Sequence, residues 1–141
     1  MNDYPTLKQI QRAKEKLGSL IVETPSHPWN DTWLTDGIGH NTEIFVKLEL
    51  LQVTGTFKPR GALSVMLDLD KYQLKRGVTT VSAGNHAIAT AYASKALGTT
   101  AKVVMPKNAN SLRMRMAKDL GAEIDLADNP HNAFTRVQQI E

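Results

Sequence analysis

Val78-Thr79-Thr80-Val81-Ser82-Ala83-Gly84-Asn85-His86-Ala87, continued to Gly98, is the stretch on which the fold turns. Residues 78–82 are β-branched and short, as in a buried strand, and Gly84 permits a tight turn. Residues 85–97 are Ala-rich and close on Gly98, as a helix does at its C′ position. No Asp, Glu, Lys or Arg occurs between Gly77 and Ser94, long enough to raise a membrane span. Thr79, Thr80, Ser82, Asn85 and His86 are too polar for hydrocarbon, so the stretch reads as a strand, turn and helix inside a folded core, with no membrane partner.

The same beat continues downstream. Residues 101–105 form a second apolar run ended by Pro106, and Ser111 can cap a helix running through Leu120 to Gly121. Residues 123–126 give a third strand, and a last helix begins near Asn132. Upstream, residues 44–50 alternate in a strand period, Pro59 suits a first helical turn, and residues 62–75 continue helically to Gly77. Leu7, Ile10 and Leu17 mark a short amphipathic helix stopped by Gly18, Thr24-Pro25 and His27-Pro28 impose an extended path, and residues 31–41 form a loop or short helix. Strands alternating with helices at this spacing predict an α/β fold, a parallel sheet flanked by helices in three layers.

The 141 residues suit one domain. Seventeen Lys and Arg stand against 14 Asp and Glu, and the two signs are interspersed, which does not favour nucleic acid. Without cysteine there is no disulfide, thiolate metal site or cysteine nucleophile, and the first residues lack a signal peptide's basic head and apolar core, so a cytoplasmic setting is expected. The histidines have no partner at metal-ligand spacing, so no metal site is expected. Gly37-Ile38-Gly39 precedes a strand and lacks the further glycine of a dinucleotide loop.

Two places could carry chemistry. Lys58 stands where a strand gives way to a helix, facing the positive end of the macrodipole, a setting that favours the neutral, nucleophilic amine able to condense with a carbonyl. A solvated surface lysine is the plain alternative. At Ser82, Ala83, Gly84, Asn85 and His86 the strand-to-helix turn presents backbone N–H groups to a carboxylate or phosphate, at the carboxyl end of a strand where α/β sheets bind ligands. Ordinary capping by Ser82 or Asn85 is the alternative there.

Thr54-Gly55-Thr56-Phe57-Lys58-Pro59-Arg60-Gly61-Ala62 and Ser82-Ala83-Gly84-Asn85-His86-Ala87 resemble the two signature segments of the serine/threonine dehydratases, fold type II pyridoxal-phosphate enzymes. Val104-Met105-Pro106 and Gly121-Ala122-Glu123 match weaker family positions in order, so the resemblance covers most of the chain from Thr24 onward. It implies that Lys58 carries pyridoxal 5'-phosphate as a Schiff base with Phe57 close to the ring, that Asn85 contacts the ring's phenolic oxygen, and that Ser82, Ala83, Gly84, Asn85 and His86 line the substrate carboxylate site.

The implied reaction is β-elimination from L-threonine or L-serine to a 2-oxo acid and ammonia, with the cofactor phosphate as acid for the departing hydroxyl. Ala83 stands where serine racemases carry a serine, which favours a dehydratase. The family's glycine-rich phosphate loop and pyridine-nitrogen partner are not visible, so an N-terminal fragment, inactive alone, is expected. In this reading residues 1–50 would join the large domain of the complete enzyme, residues 51–141 form the smaller α/β domain, and the complete enzyme is expected to be a homo-oligomer. Other readings are another fold type II enzyme (hydroxyaspartate ammonia-lyase, threonine synthase or cysteine synthase) and a non-catalytic remnant binding an anion or amino acid.

Overall fold

The computed structural model describes residues 4–29, 37 and 42–140. The 31–41 segment expected as a loop or short helix, with His40, lies outside the described residues except for Gly37.

The sheet forms from the three segments whose sequence alternates with helices. Strands β3 (Val78–Val81), β4 (Ala101–Pro106) and β5 (Glu123–Ala127) are parallel in the order β3-β4-β5. β4 is central, and Val103, Val104 and Met105 have no exposed surface, as a strand covered on both faces requires. Helices α4 (Asn85–Ala96) and α5 (Ser111–Asp119) cover one face, where Ala87, Ala91 and Ala117 meet Val103 and Met105. Helix α6 (Pro130–Ile140) covers the other, where Ala133 meets Val104 and Ala127. The expected three-layer α/β arrangement is therefore present.

α4 is buried on two sides, which explains its alanines. Ala87 and Ala91 face the sheet, while Ala89 and Ala93 face a second cluster with Leu17 of α1 (Leu7–Leu17) and Ala62, Leu63 and Met66 of α2 (Lys58–Met66). Small side chains let both neighbours approach, and the Tyr92 hydroxyl ties the layer down by donating to Leu20 O at 2.6 Å. Gly77, before β3, has φ +86°, and a Cβ there would collide with the Thr100 hydroxyl.

Three expectations shift. The helix expected over 62–75 is two helices, α2 and α3 (Lys71–Arg76), because Asp70 and Gln73 make a reciprocal capping box: Gln73 N donates to Asp70 Oδ1 at 2.8 Å and Asp70 N to Gln73 Oε1 at 2.9 Å. The strand expected over 44–50 pairs only as β2 (Phe45–Lys47), antiparallel to β1 (Ser26–Pro28) and outside the parallel sheet, before a 3₁₀ turn at Glu49–Leu51. Helix α5 is capped by Asn110 instead of Ser111, its Oδ1 accepting from Leu112 N and Arg113 N. Among the described residues no helix is long and apolar enough to cross a membrane.

Candidate active site

β3 ends at Val81, and Ser82 N still donates to Val104 O at 3.1 Å, so the sheet aims the following turn. Gly84 occupies the N-cap of α4, and ordinary capping by Ser82 or Asn85, the alternative to an anion site, does not occur. Ser82 Oγ instead accepts Gly84 N–H at 3.2 Å. Among the described residues nothing accepts the N–H groups of Asn85 and His86, and neither side chain makes a hydrogen bond. The turn therefore presents donors outward. Ala83 is exposed, and Ser82, Gly84, Asn85 and His86 are half-buried.

Lys58 is the first residue of α2, followed by Pro59, which suits a first turn because its missing N–H is not needed there. The amine is exposed and sits 5.0 Å from the centroid of the exposed Phe57 ring. Packing of α2 on α4 through Ala62, Leu63, Met66, Ala89 and Ala93 carries it to the turn. His86 registers the approach: burial first, and then the charge of Lys58, push its imidazole below the ordinary histidine range. The two predicted segments thus come together. His27 and His131 are exposed and lie elsewhere.

Sequence reading missed what holds the lysine in place. Arg60, two residues on, forks onto Glu49, its Nε to Oε2 at 2.9 Å and its Nη2 to Oε1 at 2.8 Å. Thr24 Oγ1 donates to Glu49 Oε1 at 2.5 Å, and Gln52 exchanges two hydrogen bonds with the Val22 backbone at 2.8 Å each. The Arg60 guanidinium holds the Glu49 carboxyl down to about 2, with burial opposing and Thr24 assisting. Also missed is Arg113, in the first turn of α5, whose guanidinium lies against Gly84. Its signal was present, since a first helical turn favours acids.

A family model described as pyridoxal-phosphate dependent enzyme matches residues 20–141. The chain belongs to this family. It is 44% identical over 137 residues to a phenylserine dehydratase of Ralstonia pickettii, covering 97% of this chain and 41% of that protein. Identity to the L-threonine ammonia-lyase of Thermotoga maritima is 39% over 138 residues, covering 95% and 33%. The solved structure of maize serine racemase superposes with a TM-score of 0.82 at 31% identity, covering 93% and 39%. The chain thus spans less than half the length of these members of the pyridoxal-phosphate dependent family, and the likeness extends to its fold.

Proposed function

We propose that this chain carries the lysine and the carboxylate-binding turn of a pyridoxal-phosphate dependent ammonia-lyase acting on L-threonine or L-serine. The observation that carries the reading is the meeting of an exposed primary amine, Lys58, with a turn whose Asn85 and His86 N–H groups have no acceptor among the described residues. The donor set fits the cofactor and substrate in kind: an amine for an aldehyde, backbone N–H groups for an anion, and a neutral amide in Asn85 for a ring oxygen.

Pyridoxal phosphate, when bound, supplies an aldehyde carbon and an electron sink for negative charge at the substrate α-carbon. Lys58 Nζ would hold that carbon and, once released, take the α-proton as a general base. Phe57 would flank the ring, Asn85 would donate to its phenolic oxygen, and Ser82, Ala83, Gly84 and His86 would line the substrate carboxylate. His86, pushed toward neutrality, adds no charge of its own to the site. Exposed Ala83 offers no proton to the opposite face, which favours elimination over racemisation. Residues 51–141 would form the smaller domain of the enzyme, and residues 1–50 would join its larger one.

Reduction of the purified chain with borohydride in the presence of pyridoxal phosphate, followed by peptide mapping, tests this assignment. Label is expected on Lys58 and is lost in Lys58→Ala. Label distributed over other lysines contradicts it.

A further inference from the structure

Three helix N-termini gather around the 82–86 turn, and none carries an acid in its first turn. Lys58 opens α2, the 82–86 turn opens α4, and Arg113 stands in the first turn of α5. The Nη1 of Arg113 lies 3.1 Å, and its Cζ 3.9 Å, from the point a Cβ on Gly84 would occupy. Among the described residues that guanidinium has no hydrogen-bond or ion-pair partner. Among the described residues two cations therefore sit against the positive ends of helices without a counter-charge, an arrangement that is unfavourable until an anion arrives.

We propose that Arg113 is a substrate-binding residue whose guanidinium takes the α-carboxylate of the amino acid seated on the 82–86 turn. The assignment rests on the function proposed above and adds to it a side chain from a different helix. A planar fork suits a carboxylate, and its approach to α4 is possible because position 84 has no side chain. Gly84 leaves the room for this approach, since a Cβ there would make the guanidinium give way by a few tenths of an ångström.

The test is a titration of the isotope-labelled chain with L-threonine, followed by the amide resonances of Gly84, Asn85 and His86. Saturable shifts are expected in the wild type, with affinity about tenfold weaker in Arg113→Gln and partly restored in Arg113→Lys, the scale of one exposed charge-assisted contact. L-threoninol, which lacks the carboxylate, should give no saturable shift. Gly84→Ala, which pushes the guanidinium aside while leaving it charged, should also weaken binding. Equal affinity in wild type and Arg113→Gln overturns the proposal, as does the absence of saturable shifts with threonine in the wild type. Inorganic phosphate moving the same amides while threonine does not would overturn it too, because the turn would then be a phosphate site. Borohydride labelling of wild-type Lys58 is read separately: its failure overturns the function proposed above and leaves the titration result standing.

Discussion

The 82–86 turn and Lys58 lie close enough for the charge of Lys58 to act on His86, but they are held by different physics. The turn hangs from the end of a sheet whose central residues Val103, Val104 and Met105 have no exposed surface, packed by alanines on one face and by Ala133 on the other. Lys58 opens a helix that packs on α4, but the first turn of that helix is tied down by a polar clamp, Glu49 with Arg60, whose side chains are 18% and 30% exposed, together with Thr24 and Gln52. An apolar core fixes position through volume and gives way only when the domain unfolds. A clamp of charges fixes position through pairing and can be released by a proton. The comparison teaches that the proposed reactive amine is mounted on the more easily perturbed of the two regions.

The largest effect should come from the sheet side. Met105→Ala empties space in a fully buried strand and should cost about 2–5 kcal/mol. Urea denaturation should show a lower midpoint with an unchanged slope, and loss of the turn and of Lys58 in one cooperative step. A separate early transition at the turn would break the comparison, because the turn would then not depend on the sheet.

The same division decides what could be read from the residues alone. The sheet was legible because β3, β4 and β5 are short apolar runs, each followed by a turn and a helix, and Gly98 and Gly121 punctuate them. The 62–75 segment misled because helical composition runs through Leu67 to Asp70, although the Asp70 and Gln73 pair was in plain sight as a capping signature. Glu49 and Arg60 were not legible as partners: they lie 11 residues apart across a 3₁₀ turn and a loop, where no periodicity relates side chains. The two signature segments gave Lys58 and the turn, since each lies at a local strand or loop boundary. Arg113 came from neither, because its approach to Gly84 depends on how α5 packs beside α4.

Next in size is the clamp. Arg60→Ala leaves the Glu49 carboxylate largely out of water without its fork and should cost about 1–3 kcal/mol, less than a fully buried pair because both side chains keep some exposure. Acid should act in the same direction. The Glu49 carboxyl falls from 4.5 when free to about 2 in the fold, so its contribution is complete above about pH 4.5 and is lost as pH drops toward 2. Protection of the Lys58 and Arg60 amides against exchange, relative to the intrinsic rate at each pH, should fall over that window in the wild type ahead of protection in β4. Arg60→Ala should already show fast exchange at neutral pH and a flatter acid response. Exchange that rises together in β4 and α2 would merge the two regions into one.

The smallest effect sharpens the comparison most, because it reads the gap between the regions directly. The His86 imidazole is pushed below its ordinary value of 6.5 by burial in the turn and, second, by the charge of Lys58. Burial belongs to the sheet side and the charge to the clamp side, so the two causes can be removed separately. Lys58→Met removes only the charge, and the His86 midpoint, followed by its imidazole resonances, should rise part of the way toward 6.5. Arg60→Ala, which keeps the lysine but loosens its mounting, should give a smaller rise in the same direction. Because the folded value is depressed, His86 contributes stability that is present above about pH 6.5 and lost as pH falls through the folded midpoint, a loss that Lys58→Met should reduce. A midpoint unmoved by Lys58→Met would mean that the amine stands too far from the turn to act on a ligand held there, and the two regions would share a surface without sharing a site.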